Sequence, residues 1–300
     1  MRRVGVVGAT GLMGHGIARN IVTNFPLAFT LRRPSERVAN LVAAGAEQVA
    51  TNADLGRTCD VVVLCVTSSA DVEQVVLGDG GLLTEPRDGL VIIDTSTSEP
   101  SSTLRLAEAC AAHRVRFVDA PLTLGPAEAE AGTLNVLVGA DDETFEEVRP
   151  VIEAFAGRIL RPGGTGAGHT LKLVNNFVIQ AIASSLAEGF AVAAKAGLDP
   201  KDVERILGYG TADSRLLHLV GRALDGDFAG MVFQLDNARK DVRYYTRLAG
   251  DVGVPAPVGD GVHEALAIAS ALGFGGEYVP ALVKAQAALN GLEIVSRSRP

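Results

Sequence analysis

Lysine is scarce in this chain, and one lysine occupies a position suited to proton transfer. Of the 27 basic residues, 22 are arginine and five are lysine, and Lys172 is the first lysine along the chain. It begins a stretch, "KLVNNFVIQAIASSLA", that carries no formal charge from Leu173 to Ala187. A lysine can lose its proton when burial lowers its pKa, whereas an arginine stays protonated. Lys172 is therefore a candidate general acid and base, with Asn176 on the same helical face; a solvated lysine at a helix start is the alternative.

A glycine-rich stretch near the beginning of the chain is the second chemical signal. In "VGVVGATGLMGHGIARN", Gly8, Gly11 and Gly14 follow an apolar strand-like run and precede a helical pattern. Glycines at such a turn allow a sharp bend and a close approach to a pyrophosphate, which the N-terminus of the next helix attracts. The spacing is one residue wider than G-x-G-x-x-G, so we expect a wider loop; a purely structural turn is the alternative. The predicted cofactor-binding residues of this turn are Gly8, Ala9, Thr10, Gly11, Leu12 and Met13.

Two arginines bear on which dinucleotide such a turn would bind. Arg32 and Arg33 follow the second strand-like run, "LAFTL". An acidic residue at this place binds the ribose 2′-hydroxyl of NAD, whereas arginine accommodates the 2′-phosphate of NADP. The pair therefore favours NADP, with NAD possible; two arginines that merely solvate a loop are the alternative.

The elements that must position these residues alternate between strands and helices over the first half of the chain. We predict strands at Val4–Val7, Ala28–Leu31, Val61–Val66, Leu90–Asp94, Arg116–Val118, Asn135–Val138 and Ile159–Leu160. Between them, we predict helices near 12–23, 35–44, 70–77, 99–113 and 142–155. Continuous apolar strands that alternate with helices indicate an α/β fold, a doubly wound and mostly parallel sheet of the Rossmann type.

The pattern changes at "RPGGTGAGHT", residues 161–170, and the second half is predicted to be all helical. One long helix covers 170–196, about 40 Å in length. Further helices are predicted at 199–208, 213–223, 234–252, 257–272 and 278–290, and the tail "VSRSRP" is predicted to fray. The predicted domains are residues 1–164, which bind NAD(P), and residues 165–300, a helical substrate and oligomerisation domain joined through the long helix.

Composition limits the classes of partner. With 47% hydrophobic and 21% charged residues, 300 residues suffice for two domains with buried cores. The net charge of −8 argues against a general nucleic-acid or anionic-membrane binder. A membrane span is the alternative for 170–196, but five polar residues interrupt it: Asn175, Asn176, Gln180, Ser184 and Ser185. Burial within the protein or between subunits is favoured, so we expect a homodimer or homotetramer.

Cysteine and histidine usage point to a cytoplasmic protein without a metal site. The three cysteines, Cys59, Cys65 and Cys110, lack metal-ligand spacing, and an odd number does not suit a disulfide framework. The five histidines show no ligand pair at i, i+4, and His169 is the one nearest to Lys172. The N-terminus lacks a signal-peptide pattern.

Five segments, in order, resemble the β-hydroxyacid dehydrogenase family, which includes 3-hydroxyisobutyrate dehydrogenase and tartronate semialdehyde reductase. They are the glycine turn with "LMG", "DTSTSEP" at 94–100, "DAPLTLGPAEAEAGTLNVLVG" at 119–139, "GAGHTLKLVNN" at 166–176, and Phe233 with "KD" at 240–241. The resemblance covers nearly the whole chain. It implies a Rossmann domain, an all-helical C-terminal domain and an active site in the cleft between them.

The resemblance also implies roles for individual residues. Lys172 matches the catalytic general acid and base, and Asn176 matches a substrate-orienting amide. The implied substrate-binding residues are Ser96, Thr123, Leu124, Gly125, Phe233 and Asp241. Besides the glycine turn and the two arginines, the implied cofactor-binding residues are Cys65, Val66, Thr67, Thr97 and Lys240.

The substrate loop departs from the family pattern. The family has Ser-Gly-Gly after "DAPV", whereas this chain has "DAPLTLGP", in which Leu124 adds bulk where glycine lets the backbone approach a carboxylate. The resemblance therefore extends to a class of substrate and not to 3-hydroxyisobutyrate itself. The resulting hypothesis is an NADP-dependent oxidoreductase that moves hydride between nicotinamide and a small β-hydroxy acid or its semialdehyde. An imine reductase, which generally lacks a lysine at position 172, and a non-catalytic dinucleotide-binding relative are the alternatives.

Overall fold

The computed structural model describes residues 2–33 and 35–294. Along the chain it has two compact units, with the boundary between Lys172 and Leu173. The tail that was predicted to fray, residues 295–300, lies outside the described residues.

The first unit is built on one twisted sheet. Its strands are β1 (Val4–Val7), β2 (Leu27–Thr30), β3 (Glu47–Gln48), β4 (Val61–Leu64), β5 (Val91–Asp94), β6 (Arg116–Asp119), β7 (Leu122–Thr123), β8 (Leu134–Gly139) and β9 (Ala156–Gly163). The order is β3-β2-β1-β4-β5-β6-β8-β7, with β9 paired to β8. The first six strands are parallel, whereas β8 runs antiparallel to β6 and β7. The segment β3-β2-β1-β4-β5-β6 is the doubly wound Rossmann order, which confirms the predicted fold.

The central strands read as continuous apolar runs because both faces of the sheet are covered. β1, β4 and β5 are buried along their whole length. Successive side chains point to opposite faces, so Val61 and Val63 belong to one core whereas Val62 and Leu64 belong to another. A fully buried parallel strand needs apolar residues at every position, and these strands have them.

Over the described residues before the long helix, seven α-helices and a short 3-10 helix (Glu36–Val38) accompany the sheet. The α-helices are α1 (Leu12–Ile21), α2 (Ala39–Ala43), α3 (Asn52–Thr58), α4 (Ser69–Leu77), α5 (Pro100–Ala111), α6 (Pro126–Ala131) and α7 (Asp142–Glu153). Side chains cap several of them: Thr51 and Asp54 form a capping box at α3, Ser68 caps α4 and Asp141 caps α7. The predicted strands and helices are all found, with ends that differ by at most four residues. The short elements β3, β7, α3 and α6 were not predicted.

The second unit is helical over the residues that the structure describes. Its helices are the long α8 (Ala167–Lys195), which starts in the first unit, followed by α9 (Pro200–Leu207), α10 (Arg215–Gly221), α11 (Leu235–Asp251), α12 (Pro257–Ala269) and α13 (Leu282–Asn290). Between residues 173 and 294, the only β-type pairing is a single bridge from Gln234 to Tyr278. The core packs Phe190 of α8 with Val242 of α11 and Leu266 of α12.

Helix α8 is long and apolar enough, by length and composition, to cross a membrane. Only a narrow stripe of it is buried, including Leu173, Asn176 and Gln180. On other faces, Val174 is 40% exposed and Val178 is 47% exposed. The chain therefore leaves a large part of the apolar surface of α8 uncovered.

Candidate active site

The three glycines of the opening turn have three separate structural roles. Gly8 has φ +96°, and a Cβ there would lie 2.1 Å from the carbonyl oxygen of Cys65. A Cβ on Gly14 would lie 2.2 Å from the carbonyl oxygen of Gly8, so glycine is needed where α1 packs against the end of β1. Gly11 is exposed, and a Cβ there would meet only the Gly8 oxygen, at 3.3 Å. Gly8 thus makes the tight turn, Gly14 allows the helix to pack, and Gly11 leaves open space for a ligand to approach. A dinucleotide site needs these three roles, and here they are spread over a wider loop.

The N-terminus of α1 suits a pyrophosphate. The helix begins after Gly11, and no side chain of a described residue caps it, unlike α3, α4 and α7. Its first N–H groups and the positive end of its dipole are thus directed at the space above Gly11, where no Cβ intrudes. The residues present therefore fit a dinucleotide.

Arg32 and Arg33 lie in the bend after β2. The Arg32 guanidinium is 88% exposed and lies 3.4 Å from a carboxylate oxygen of Asp71. Asp71 is already held by the Ser68 hydroxyl, which donates to it at 2.6 Å. Arg32 therefore makes one long, exposed contact, of the kind that contributes little to stability, and it can reorient toward a phosphate.

The loops after β4 and β5 are linked through Ser96. The N–H of Val66 donates to the Ser96 hydroxyl at 3.0 Å, and the N–H of Ser96 donates to Asp94 at 2.9 Å. Ser96 is buried, Thr97 is half-buried and Thr67 is exposed. Burial raises the pKa of Cys65 to about 11, so this thiol stays protonated near neutral pH. The structure thus joins predicted cofactor and substrate residues at the carboxyl ends of adjacent parallel strands.

The start of α8 is held against the same edge of the sheet by Asp119. The Asp119 carboxylate, at the end of β6, accepts from the N–H of Gly166 at 2.7 Å and from the N–H of His169 at 2.9 Å. A carboxylate at a helix N-terminus is a favourable arrangement. Burial raises the pKa of Asp119 and these hydrogen bonds oppose that rise. Cβ atoms on Gly139 or Gly168 would lie 2.4 Å and 2.8 Å from its carboxylate oxygens, so both glycines make room for it.

Lys172 lies on α8 one turn after His169 and is half-buried. Because the first turn of α8 is bonded to Asp119, the backbone that carries Lys172 is fixed relative to the ends of β5 and β6. In doubly wound sheets, ligands bind outside these carboxyl ends.

The loop of Thr123, Leu124 and Gly125, which is predicted to bind substrate, contains an unusual backbone conformation. Leu124 has φ +78°, in the left-handed region that favours glycine, and its side chain is 46% exposed. Before it, the Thr123 hydroxyl accepts from the amide of Asn135 at 3.1 Å. After it, the N–H of Gly125 donates to Glu128 of α6 at 3.0 Å. Leu124 therefore occupies a glycine-type conformation at the position where the family has glycine.

Helix α6, which follows this loop, packs directly on α1. A Cβ on Gly16 would lie 2.4 Å from the carbonyl carbon of Ala129, so the two helix backbones are in contact. The Asn20 amide donates to the Ala129 oxygen at 2.9 Å, and His15 lies 2.6 Å from a carboxylate oxygen of Glu130. The loop around Leu124 and the glycine turn are thus attached to one helix pair.

In the second unit, three predicted residues form one hydrogen-bonded group. The Asn176 amide donates to a carboxylate oxygen of Asp241 at 2.6 Å, and the Lys240 ammonium donates to the other oxygen at 2.7 Å. Asp241 is 2% exposed. Phe233 is half-buried and packs against the core of this unit. The group fixes the orientation of the Asn176 amide, with its nitrogen toward the carboxylate.

Some residues of this arrangement were not predicted. Asp94 and Thr103 lie beside the His169 ring, and the Asp119 carboxylate accepts from the His169 N–H. Gly139 and Gly168 leave space for that carboxylate. One signal could have identified the two aspartates: Asp94 ends one predicted strand, Asp119 directly follows another, and the carboxyl ends of parallel strands share one edge of a sheet.

Together, the fold and the glycine turn define a dinucleotide-binding protein of the Rossmann class. Comparisons with known protein families narrow this class further. Residues 3–164 match the family described as the NAD binding domain of 6-phosphogluconate dehydrogenase. Residues 166–286 match the family described as NAD-binding of NADP-dependent 3-hydroxyisobutyrate dehydrogenase.

Individual relatives agree with these matches. The chain is 31% identical over 294 residues to 2-(hydroxymethyl)glutarate dehydrogenase of Eubacterium barkeri, with 97% of each chain covered. It is 32% identical over 224 residues to 2-hydroxy-3-oxopropionate reductase of Escherichia coli, with 74% of this chain and 75% of that protein covered. The crystal structure of 3-hydroxyisobutyrate dehydrogenase from Salmonella typhimurium has a TM-score of 0.81 at 25% identity, covering 95% of this chain and 99% of that one. The chain belongs to the β-hydroxyacid dehydrogenase family, as an NAD(P)-dependent hydroxyacid dehydrogenase or reductase.

Proposed function

We propose that this enzyme uses NADP to interconvert a small β-hydroxy acid and its semialdehyde, with Lys172 as the general acid and base. The observation that carries the proposal is the attachment of α8 to Asp119, which places the helix bearing Lys172 at the edge of the sheet where such folds bind ligands. Lys172 is also the first lysine in a chain that otherwise uses arginine up to that point.

The reaction assigns opposite protonation states to Lys172 in its two directions. The bound dinucleotide supplies or accepts the hydride. In reduction, the protonated amine of Lys172 donates a proton to the carbonyl oxygen as negative charge develops there. In oxidation, the neutral amine removes the hydroxyl proton. Proton transfer of this kind contributes about 10²–10⁴-fold to the rate.

Asn176 would orient the substrate beside that proton. One N–H of its amide is committed to Asp241, at 2.6 Å, so the other can donate to a substrate oxygen. The charge of Asp241 is balanced by Lys240, which keeps the carboxylate available as an acceptor. Asn176 lies one helical turn after Lys172 on α8, about 6 Å along the axis.

The substrate class follows from chemistry that two relatives share. 2-(Hydroxymethyl)glutarate and 2-hydroxy-3-oxopropionate carry an alcohol or aldehyde carbon next to the carbon that bears a carboxylate. A site of this type must bind a carboxylate and an oxygen that gains or loses a proton. We assign the carboxylate to the loop of Thr123, Leu124 and Gly125, in which Leu124 narrows the choice of substrate.

The preference for NADP rests on the bend after β2. Arg32 and Arg33 are exposed there, and "LAFTLRR" offers no carboxylate to bind a ribose 2′-hydroxyl. Because its contact with Asp71 is long and exposed, Arg32 can pair with a 2′-phosphate at little energetic cost.

Absorbance at 340 nm tests the reaction directly. NADPH and then NADH are offered with succinic, methylmalonic and tartronic semialdehydes, sulfolactaldehyde, glyoxylate and cyclic imines. We expect one acid aldehyde to be reduced with NADPH. Turnover of imines alone would replace the proposal with imine reduction, and NADPH binding without any turnover would indicate a non-catalytic relative.

A lysine pair on one helix tests the role of Lys172. In Lys172→Met, kcat should fall about 10²–10⁴-fold, while the Kd of NADPH stays within about threefold. The matched control is Lys195→Met, at the far end of α8, where the ammonium donates to the carbonyl oxygen of Asn290 at 3.2 Å. Equal activities of the two variants would refute the assignment.

We further propose that residues 165–300 form a homodimer or homotetramer through α8. Val174 and Val178 are apolar residues that the chain leaves 40% and 47% exposed on this helix. Val178→Glu should shift the mass measured by light scattering toward the monomer. Val254→Glu, at a 56% exposed position outside α8, is the control. A monomeric wild type would overturn this part of the proposal.

A further inference from the structure

His169 is a fully buried histidine that the proposed proton transfer does not use. It lies in the first turn of α8, and its side chain is 0% exposed. Nδ1 is 2.7 Å from the hydroxyl of Thr103, and Nε2 is 3.2 Å from the carbonyl oxygen of Ser96. A carboxylate oxygen of Asp94 lies 3.7 Å from Nε2. Two segments of the first unit, residues 94–96 at the end of β5 and helix α5, thus meet at one imidazole.

The chemistry of these partners determines what the ring donates. The Ser96 carbonyl can only accept, so Nε2 carries a proton and donates it there. The Thr103 hydroxyl lies 2.7 Å from Nδ1 and 3.2 Å from the Glu99 carbonyl oxygen. Because that carbonyl already accepts from the Thr103 N–H at 3.0 Å, we assign the hydroxyl proton to the shorter contact, with Nδ1 as the acceptor. The ring is therefore held from both nitrogens in one orientation.

Ser96 in turn is held at three points. Its N–H donates to Asp94, its hydroxyl accepts from the N–H of Val66, and its carbonyl accepts from His169. Of these three, only the bond from His169 connects the loop to α8. The imidazole is therefore a direct connection between the Ser96–Thr97 loop and the helix that carries Lys172.

We propose that His169 is a positioning residue, which holds the Ser96–Thr97 loop at a set distance from Lys172. The inference rests on the proposed role of Lys172. His169 and Lys172 are three residues apart, about 4.5 Å along the helix axis, so a fixed ring also fixes the helix against the loop. Hydride transfer and proton transfer to one substrate require the Ser96–Thr97 loop and Lys172 to be held at the correct distance from each other. A misplacement of about 1 Å can lower the rate about 10²-fold.

Replacing His169 by glutamine or by asparagine distinguishes the contributions of its two ring nitrogens. A glutamine side chain reaches as far as Nε2 and can still donate to the Ser96 carbonyl, whereas an asparagine side chain reaches only the position of Nδ1. In His169→Asn, we expect kcat to fall about 10–100-fold, and in His169→Gln only a few-fold. The matched control is His113→Gln, an exposed histidine near the end of α5, which should leave kcat unchanged.

Two readouts distinguish positioning from mere loss of folded protein. With NADPH deuterated at the transferred position, the isotope effect on kcat should rise in His169→Asn, because hydride transfer becomes slower relative to other steps. An unchanged isotope effect together with a reduced folded fraction would show a structural role only and overturn the proposal.

Hydrogen–deuterium exchange gives a test that needs no substrate. Peptides that cover residues 95–99 should exchange faster in His169→Asn than in the wild type or in His169→Gln. Equal exchange in all three proteins would overturn the proposal even if the wild type proved inactive. An inactive wild type with faster exchange in His169→Asn would refute the proposed function and leave the contact between loop and helix in place.

Discussion

Gly11→Ala separates cofactor binding from folding, because Gly11 is the glycine of the turn that the fold itself does not need. Its φ is −68°, which alanine adopts readily, and the added Cβ would meet only the Gly8 oxygen, at 3.3 Å. The neighbouring Gly8 and Gly14 have backbone atoms within about 2 Å of an added Cβ, so alanine there would displace the chain.

The expected effect of Gly11→Ala on stability is close to zero. Alanine is a poorer N-cap than glycine by a few tenths to about 1 kcal/mol. Replacing glycine by alanine lowers the conformational entropy of the unfolded chain, which stabilises the folded state by about 0.4–1 kcal/mol. Since 1 kcal/mol shifts the Tm of a domain of this size by about 2–4 °C, the Tm should change by no more than that.

The expected effect on cofactor affinity is large. The new methyl group would lie where the pyrophosphate approaches the N–H groups of α1, and loss of one hydrogen bond to a charged group costs about 1.5–3 kcal/mol. The Kd should therefore rise about 10–150-fold. NADPH and NADH should be affected alike, because both contain the pyrophosphate.

Fluorescence titration of reduced cofactor and thermal unfolding measure the two quantities. The control is Gly250→Ala, an exposed glycine of α11 with nothing within 4 Å of the added Cβ, which should change neither affinity nor activity. Gly8→Ala should instead lose stability, since its Cβ would lie 2.1 Å from the Cys65 oxygen. Unchanged cofactor affinity in Gly11→Ala would refute the assignment of the pyrophosphate to this turn.

Four further changes test other parts of the structure. Arg32→Asp should raise the Kd of NADPH at least tenfold and leave that of NADH within about threefold, since only NADPH has the 2′-phosphate; equal changes would argue against the NADP assignment. Leu124→Gly should relieve a backbone strain of about 1–2 kcal/mol, which the greater flexibility of glycine in the unfolded chain largely offsets. It should also change the order of kcat/KM among the acid aldehydes, and an unchanged order would show that Leu124 does not contact the substrate. Burial raises the pKa of Cys65 to about 11, so its alkylation by iodoacetamide, followed by mass spectrometry, should accelerate about tenfold per pH unit between pH 8 and 10; a flat profile would contradict the burial. The hydrogen bond from the N–H of Thr144 lowers the pKa of Asp141 in the folded protein. The charged cap therefore stabilises α7 fully above pH 3.8, the pKa of the unfolded chain, and this stabilisation is lost as the pH falls through the lower pKa of the folded protein. The difference in urea midpoint between wild type and Asp141→Asn should shrink over the same pH range.

The sequence predicted the long and buried elements well because their apolar periodicity reports burial directly. The strand Val4–Val7 has the predicted bounds, and α8 extends only three residues beyond the prediction at its start. The short elements β3 and β7 contain two residues each, which is too few for a period to appear. Helix α6, "PAEAEA", is defined by its packing on α1 and carries no apolar stripe of its own.

The candidate site was predictable in its residue types and not in its connections. Lys172 and the glycine turn stand out because each residue type is suited to one task at one place in the chain. The bond between Asp119 and the N–H of His169 becomes visible only in the folded chain, because the two residues are 50 positions apart in sequence. A glycine such as Gly168 gives no sign in sequence that it makes room for a carboxylate rather than for a turn.

The backbone contact between α1 and α6 has a consequence for protein engineering. A transplant of the proposed substrate loop from a relative can end at Gly125, because Gly125 is the last residue before α6 begins. A longer transplant would bring in a foreign α6 and disturb the fit of Ala129 against Gly16, and with it the seat of the dinucleotide. If residues 122–125 bind substrate as proposed, we expect libraries confined to them to change substrate preference without changing cofactor affinity, and we expect recombination within α6 to change both properties together.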